Sequence, residues 1–192
     1  MNIKNIPNMI TLLRVALMPP LLYLLLEKNY VPALVIFMIA GASDGLDGYL
    51  AKKYHWTSRF GAIADPLADK LLMLVSYGYL TYAGYLPLWL FYIVVGRDVF
   101  IVSAAYSFHR YFGPFDMNPT LLSKLNTVLQ ILLVTYVMYS LVFINIPSII
   151  SQVLIYTVGI ICSASALQYL WIGLRETSMR LKQQKEASDD NQ

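Results

Sequence analysis

Charged side chains and cysteine are both scarce in this chain of 192 residues. Asp, Glu, Lys and Arg together make up 13% of the sequence, about half of the share that is usual in soluble domains. The single cysteine, Cys162, excludes an intrachain disulfide, and its apolar neighbours predict a packing role. The scarcity of charge argues against a water-soluble globular domain.

Hydrophobic residues make up 58% of the chain and occur in long runs. A helix that crosses a bilayer needs roughly 20 mostly apolar residues, and turn-forming residues separate six such runs. We therefore predict an all-α integral membrane fold with six transmembrane helices. Residues 1–176 would form the transmembrane domain and residues 177–192 a polar cytoplasmic tail. The predicted helices are Pro7–Leu26, Val31–Lys53, Ser58–Tyr82, Leu86–Arg110, Pro119–Phe143 and Pro147–Glu176.

Positive charge gathers at alternate helix ends, and the opposite loops contain only Lys28. The positive-inside rule then places both termini in the cytoplasm, as an even number of spans requires. The first apolar run, Met9–Leu26, contains Arg14 and is not followed by a small-residue cleavage site. We expect it to be a retained span, not a cleaved signal peptide. The basic residues form no patch of the kind that binds nucleic acid.

Four aspartates lie within stretches that otherwise look membrane-spanning: Asp44 and Asp47 on the second helix, Asp65 and Asp69 on the third. An ionised carboxylate near mid-bilayer costs about 3 kcal/mol on insertion scales, so four together require cationic partners. Spacings of three and four residues put each pair on one helical face. A turn centred near Trp56 brings the two pairs to similar depth.

This arrangement can bracket two divalent cations about 4 Å apart. Oxygen-only ligands favour Mg²⁺, Mn²⁺ or Ca²⁺, and two such ions would neutralise four carboxylates. An EF-hand loop starting at Asp44 is excluded, because Leu46 and Gly48 would occupy two ligand positions. Two alternatives stay open: an ion or proton transporter, since intramembrane acids also form proton relays, and a non-catalytic lipid-binding scaffold.

The acidic block resembles the signature of the CDP-alcohol phosphatidyltransferase family. That signature reads Asp, two residues, Asp-Gly, two residues, Ala-Arg, eight or nine residues, Gly, three residues, Asp, three residues, Asp. The N-terminal segment IPNMITLLR also resembles the family. The arginine of the signature is a lysine here, which keeps the charge but loses bidentate phosphate binding. The corresponding residues are Asp44, Asp47, Gly48, Ala51, Lys52, Gly61, Asp65 and Asp69.

The resemblance implies an enzyme that transfers the phosphatidyl group of CDP-diacylglycerol to a hydroxyl acceptor and releases CMP. It implies two divalent cations, Mg²⁺ or Mn²⁺, bound by Asp44, Asp47, Asp65 and Asp69, with Asp69 as the catalytic base. It also implies a multi-pass protein of the cell (inner) membrane, an active site facing the cytoplasm, and a homodimer. The CDP-binding residues would be Asn8, Thr11, Arg14, Gly48, Lys52 and Gly61.

The acceptor site needs cations, and the candidates are Arg97, Arg110 and Lys124. For Arg97 the alternative is a structural ion pair with Asp98; for the other two it is topology signalling at the membrane boundary. The segments GRDVFIVSAAY and NPTLLSKLNTVLQ resemble the family members that use phosphatidylglycerol and make cardiolipin. Members that use glycerol 3-phosphate usually have a lysine where this chain has Asn126. We therefore expect phosphatidylglycerol as acceptor, with glycerol 3-phosphate as the alternative.

Overall fold

The computed structural model describes residues 6–54, 59–112, 120–143 and 148–189. Regular structure within these ranges is entirely helical, which confirms the predicted fold class and the count of six helices. Every predicted helix boundary except the last lies within two residues of the observed one. The helices are α1 (Ile6–Leu26), α2 (Tyr30–Tyr54), α3 (Arg59–Tyr82), α4 (Leu88–Phe112), α5 (Leu121–Val142) and α6 (Ser148–Asp189).

The last helix is longer than predicted, because α6 continues to Asp189 and does not end near Glu176. Loss of hydrophobicity predicts the end of the apolar span, but polarity does not stop a helix. Neither proline nor glycine follows Gly173, and the segment is rich in Lys, Arg, Gln and Glu, which are good helix formers. The division into a membrane domain and a polar tail at residue 176 stays a prediction.

Three helical segments are long and apolar enough to cross a membrane: Met9–Leu26, Leu121–Val142 and Ile149–Met179. The apolar part of α2, Tyr30–Ser43, is shorter. In α2, α3 and α4 the apolar runs are interrupted by the aspartates and by the Arg97-Asp98 pair, which lower their hydropathy. A multi-pass membrane protein is thus supported, and the orientation of its termini stays a prediction.

The chain divides into two compact units. The first unit comprises Met1–Pro87 and Ile131–Ser151, and the second comprises Leu88–Gln130 and Gln152–Gln192. In the first unit, α1 packs against both α2 and α3, and α2 also contacts α3. In the second unit, Cys162 is fully buried, which confirms its predicted packing role.

Two tight turns close one end of the first unit. After α1, Lys28 takes a left-handed conformation (φ 56°), and the Asn29 N–H donates to the Leu24 carbonyl at 2.9 Å. After α3, Gly84 takes φ 80°, a conformation that glycine adopts without steric cost. Both turns occur where the sequence predicted breaks.

Three tyrosines, Tyr30, Tyr79 and Tyr85, form a hydroxyl cluster beside these turns, called here the tyrosine cluster. The Tyr30 hydroxyl lies 3.1 Å from the Tyr85 hydroxyl and 3.4 Å from the Tyr79 hydroxyl. The rings of Tyr30 and Tyr85 meet edge to face, with centroids 6.3 Å apart. The hydrogen bond to Tyr30 raises the pKa of Tyr85, which lies in the turn between α3 and α4. The cluster links the start of α2 to the end of α3.

Candidate functional site

The predicted acidic residues lie on two continuous helices of the first unit. Asp44 and Asp47 are on the C-terminal half of α2, and Asp65 and Asp69 are on the N-terminal half of α3. The spacing of four residues along α3 corresponds to a rise of about 6 Å. Asp65 and Asp69 are both half-buried, so both carboxylates remain partly accessible. Several predicted positions lie outside the part of the chain whose surroundings the structure describes. They are Asn8, Asp44, Asp47, Gly48, Lys52, Gly61 and the turn at Trp56.

Thr11 of α1 contacts the acidic block directly. Its hydroxyl donates a hydrogen bond to Oδ1 of Asp65, and the side chain is only 1% exposed. This contact restrains one carboxylate oxygen and leaves the other for a further ligand. Sequence analysis assigned Thr11 to the nucleotide. The contact with Asp65 has no local sequence signal, because 54 residues separate the two side chains.

Arg14 places a positive charge on the same face of α1. It follows Thr11 by three residues, a spacing that puts two side chains on one helical face. Only 1% of Arg14 is exposed, and a buried guanidinium is tolerated only where anionic or hydrogen-bonding groups compensate for lost hydration. The α1 face that contacts Asp65 is therefore suited to stabilise negative charge.

The described carboxylates form only part of the predicted metal site. Among the described side chains, no group of three His, Cys, Asp or Glu residues could hold a metal ion. That comparison covers Asp65 and Asp69 but not the aspartates of α2. The donor set fits a hard divalent cation, because carboxylate oxygens are the ligands that such ions prefer. A second-sphere hydroxyl, such as that of Thr11 on Asp65, commonly orients a metal-binding carboxylate.

A second polar group, the arginine cluster, lies in the second unit and consists of Arg97, Asp98, Ser123, Ser165 and Tyr169. Nη1 of Arg97 donates to Oδ1 of Asp98 at 2.7 Å, which confirms the ion pair considered from the sequence. Nη2 donates to the Ser123 hydroxyl and, at 3.0 Å, to the Ser165 hydroxyl. The guanidinium carbon lies 5.9 Å from the centroid of the Tyr169 ring. Helices α4, α5 and α6 thus share one buried cation.

Arg97 keeps one unused donor despite these contacts. Its side chain is 6% exposed, and its buried Nε has no hydrogen-bond partner. Asn126, which follows Ser123 by three residues on α5, is fully buried, and both polar atoms of its amide are also without partners. The other two acceptor candidates, Arg110 and Lys124, are exposed. Arg97 therefore combines a structural role with spare capacity for a polar ligand.

Sequence analysis missed most partners of Arg97. Ser165 and Tyr169 are four residues apart on α6, and Ser123, Asn126 and Gln130 recur at three and four residues on α5. Polar residues at helical spacing inside an apolar run were the available signal. They indicate a polar stripe within each helix, but they do not reveal which helix lies opposite.

Comparison with known proteins extends the resemblance over most of the chain. The family model described as CDP-alcohol phosphatidyltransferase matches residues 4–168. Proteins named "Cardiolipin synthase (CMP-forming)" from Homo sapiens and Rattus norvegicus are each 35% identical over 194 residues, covering 93% of this chain. The chain spans 64% of the length of each of these relatives.

A bacterial relative carries the name of the other predicted activity. The CDP-diacylglycerol–glycerol-3-phosphate 3-phosphatidyltransferase of Aquifex aeolicus is 36% identical over 128 residues. The match covers 65% of this chain and 70% of that protein. Relatives with both names therefore align with the chain, and the alignments with the cardiolipin synthases cover more of it.

Proposed function

The chain belongs to the CDP-alcohol phosphatidyltransferase family, and from this premise we propose that it transfers the phosphatidyl group of CDP-diacylglycerol to phosphatidylglycerol. The products would be CMP and cardiolipin. The observation that carries the proposal is the ordered set of aspartates on α2 and α3, with Thr11 of α1 hydrogen-bonded to Asp65. An acidic site of this kind suits the binding of a cation-bridged pyrophosphate.

In this proposal two divalent cations, Mg²⁺ or Mn²⁺, are held by Asp44, Asp47, Asp65 and Asp69. When bound, such ions neutralise pyrophosphate charge and lower the pKa of a coordinated hydroxyl. Thr11 fixes the orientation of Asp65 through its hydrogen bond. Arg14 adds a buried positive charge on the same face of α1, where the CDP phosphates need compensation. Further CDP contacts are proposed for Asn8, Gly48, Lys52 and Gly61.

Asp69 is the proposed general base. It would take the proton from the acceptor hydroxyl while that oxygen attacks the phosphorus that bears diacylglycerol. A new P–O bond forms there, and the bond from that phosphorus to the bridging oxygen breaks, so that CMP leaves with the electron pair. Asp69 is half-buried and one turn from Asp65, which is a suitable position for a carboxylate that must reach both substrate and metal.

Acceptor contacts are proposed for Arg97, Arg110 and Lys124. Because Asp98 pairs with Arg97, the arginine cluster is formally neutral, and it therefore disfavours a doubly charged phosphomonoester more than a singly charged phosphodiester. The names of the human and rat relatives support phosphatidylglycerol as the acceptor. The name of the Aquifex aeolicus relative supports glycerol 3-phosphate as the second candidate.

The test uses purified full-length protein with CDP-diacylglycerol, Mg²⁺ or Mn²⁺, and each acceptor in turn. CMP release that depends on phosphatidylglycerol supports the proposal. Release with glycerol 3-phosphate alone contradicts the acceptor but keeps the enzyme class. Proton flux in liposomes without metal would instead indicate a transporter, and lipid binding without CMP release would indicate a scaffold.

The cellular setting is also a proposal. Lys28 is the only basic residue in the loops opposite the basic helix ends, which supports a multi-pass protein of the cell (inner) membrane with its active site facing the cytoplasm. A homodimer is proposed on family grounds. Crosslinking in intact membranes, followed by mass measurement, tests the dimer.

A further inference from the structure

An apolar groove with a volume of about 590 Å³ lies in the second unit, outside the predicted catalytic residues. Ligand pockets in proteins typically have volumes of about 300–1,000 Å³. The groove runs between α4 and α6, and its lining is almost entirely apolar. Residues that shape it include Trp89 and Ile93 of α4 and Gly159, Ala164 and Leu167 of α6.

Gly159 determines the shape of this groove. A Cβ atom at this position would come within 2.7 Å of Cζ3 of the Trp89 ring, closer than nonbonded carbons approach. The absence of a side chain allows Trp89 to lie over α6 and to stack on Tyr156, with ring centroids 5.9 Å apart. The shape of the groove therefore depends on one glycine and one tryptophan.

The groove ends within one helical turn of the arginine cluster. On α4, the lining residue Ile93 precedes Arg97 by four residues and so lies on the same helical face. On α6, the lining residue Ala164 directly precedes Ser165, which accepts a hydrogen bond from Arg97. The polar atoms nearest to this end include Nε of Arg97, which is buried and has no hydrogen-bond partner.

Asn126 adds a second unused polar group next to the arginine cluster. On α5 it lies between Ser123, which contacts Arg97, and Gln130, whose amide approaches the Cys162 sulfur at 4.0 Å. Its amide is fully buried and unpartnered at both polar atoms. Burying such a group costs about 1–3 kcal/mol unless a ligand or water satisfies it. Unpartnered polar groups close to an apolar groove match an amphipathic ligand.

The length of the groove matches a lipid chain. Its outermost lining residues on α6, Tyr156 and Leu167, are eleven residues apart, which corresponds to about 17 Å along the helix axis. The hydrocarbon core of a bilayer is about 30 Å thick, so one leaflet contributes about 15 Å of acyl chain. A glycerophospholipid with its phosphate near Arg97 would lay much of one chain along the groove.

We propose that the groove binds an acyl chain of an anionic glycerophospholipid whose phosphodiester head contacts the arginine cluster. This inference rests on the proposed function, in which that lipid is the acceptor phosphatidylglycerol. The unpartnered Nε–H of Arg97 supplies one donor for an oxygen of that phosphodiester. A water-soluble phosphomonoester such as glycerol 3-phosphate would leave the groove unused.

Binding can be measured through Trp89 without reference to turnover. The chain has three tryptophans, so replacing Trp56 and Trp171 by Phe leaves Trp89 as the only one. In vesicles, phosphatidylglycerol with brominated chains should quench Trp89 fluorescence more strongly than brominated phosphatidylcholine at the same mole fraction. The preference should disappear in Arg97→Gln. Equal quenching of Trp89 by the two lipids overturns the proposal. Absence of quenching by either lipid, as expected if a second copy of the chain covers the groove, also overturns it.

Filling the groove provides the kinetic test. Ala164→Phe should raise the KM for phosphatidylglycerol about tenfold, the factor expected when two methylene groups are excluded from an apolar site. The KM for CDP-diacylglycerol should stay unchanged, and Ala164→Leu should have a smaller effect. Val153→Phe, on the exposed part of α6 outside the groove, is the matched control and should resemble wild type.

The two measurements separate the two proposals. If CMP release depends on phosphatidylglycerol but Ala164→Phe leaves the KM for phosphatidylglycerol unchanged, the proposal that the groove binds this lipid is wrong and the proposed function stands. Selective quenching of Trp89 by phosphatidylglycerol, without CMP release from that lipid in wild type, supports the groove and overturns the acceptor.

Discussion

At the scale of single residues, the hydroxyl of Thr11 links the first helix to the acidic site. Thr11 is buried and donates to Asp65, so the orientation of that carboxylate depends on a side chain from another helix. A carboxylate that binds a cation loses affinity when its orienting hydrogen bond is removed, because the free side chain samples other rotamers. If Asp65 binds a cation as proposed, Thr11 acts on that cation through Asp65.

Replacing Thr11 by Val removes the hydroxyl and keeps the shape. We expect Thr11→Val to raise the Mn²⁺ concentration needed for half-maximal CMP release by about 10- to 100-fold, the usual cost of losing an orienting hydrogen bond at a metal site. Thr11→Ser retains the donor and should restore metal affinity. An unchanged metal requirement in Thr11→Val would show that Asp65 is positioned by other contacts.

Asp69 permits a direct test of proton abstraction. Asp69→Asn keeps the size of the side chain but replaces one acceptor oxygen by an NH2 donor and removes the proposed base, so kcat should fall by about 10²- to 10⁴-fold. The apparent melting temperature in detergent should remain close to that of wild type, because the side chain is only half-buried. CMP release at a near-normal rate from this variant would contradict the assignment of Asp69 as the base.

At the scale of elements, α6 contains two glycines with opposite expected responses to alanine. At Gly173 nothing lies within 4 Å of an added Cβ, so Gly173→Ala should stabilise the helix by up to about 1 kcal/mol. At Gly159 the added Cβ would displace Trp89. Gly159→Ala should therefore melt at a lower temperature than Gly173→Ala and shift the emission of Trp89. Identical melting and emission in the two variants would contradict the observed packing of Trp89 on α6.

Two serines of α6 allow a hydrogen bond between helices to be compared with a hydrogen bond within one helix. Ser165 accepts from Arg97 of α4, whereas the hydroxyl of Ser163 donates to the Gly159 carbonyl of its own helix. Ser165→Ala should destabilise the protein by about 1–3 kcal/mol, since it removes a buried hydrogen bond to a charged group. Ser163→Ala should change stability by less than about 0.5 kcal/mol. Thermal unfolding in detergent compares them, and equal melting temperatures would show that Ser165 contributes little to the arginine cluster.

Helix positions were predictable from the sequence, and most contacts between helices were not. Turn residues such as Asn29 and Gly84 interrupt the apolar runs, so helix ends followed from local chemistry. The end of α6 was mispredicted because a change from apolar to polar residues alters what a helix faces, not whether it forms. The Arg97–Asp98 pair was anticipated because its members are adjacent in sequence. The bonds from Arg97 to Ser123 and Ser165 depend on helix packing, which one sequence does not specify.

At the scale of the whole molecule, orientation in the membrane is the property that charge distribution predicts most directly. Lys28 is exposed in the turn after α1, and the predicted topology places it on the side opposite the other loop cations. In a Cys162→Ser background, Lys28→Cys should react with a membrane-impermeant maleimide added outside intact cells. A cysteine placed at residue 185 should react only after the membrane is opened. Labelling of residue 185 in intact cells would reverse the proposed topology.

The tyrosine cluster has a mechanical consequence for the first unit. Tyr79 and Asp65 are fourteen residues apart on α3, so the hydroxyl contacts lie about 21 Å along the axis from the acidic block. Those contacts join α2 to α3 at the end remote from the acidic block. At the opposite end the chain itself joins the same two helices, because only residues 55–58 separate Tyr54 from Arg59. The helices that carry the four aspartates are therefore restrained at both ends, which limits how far they can move apart.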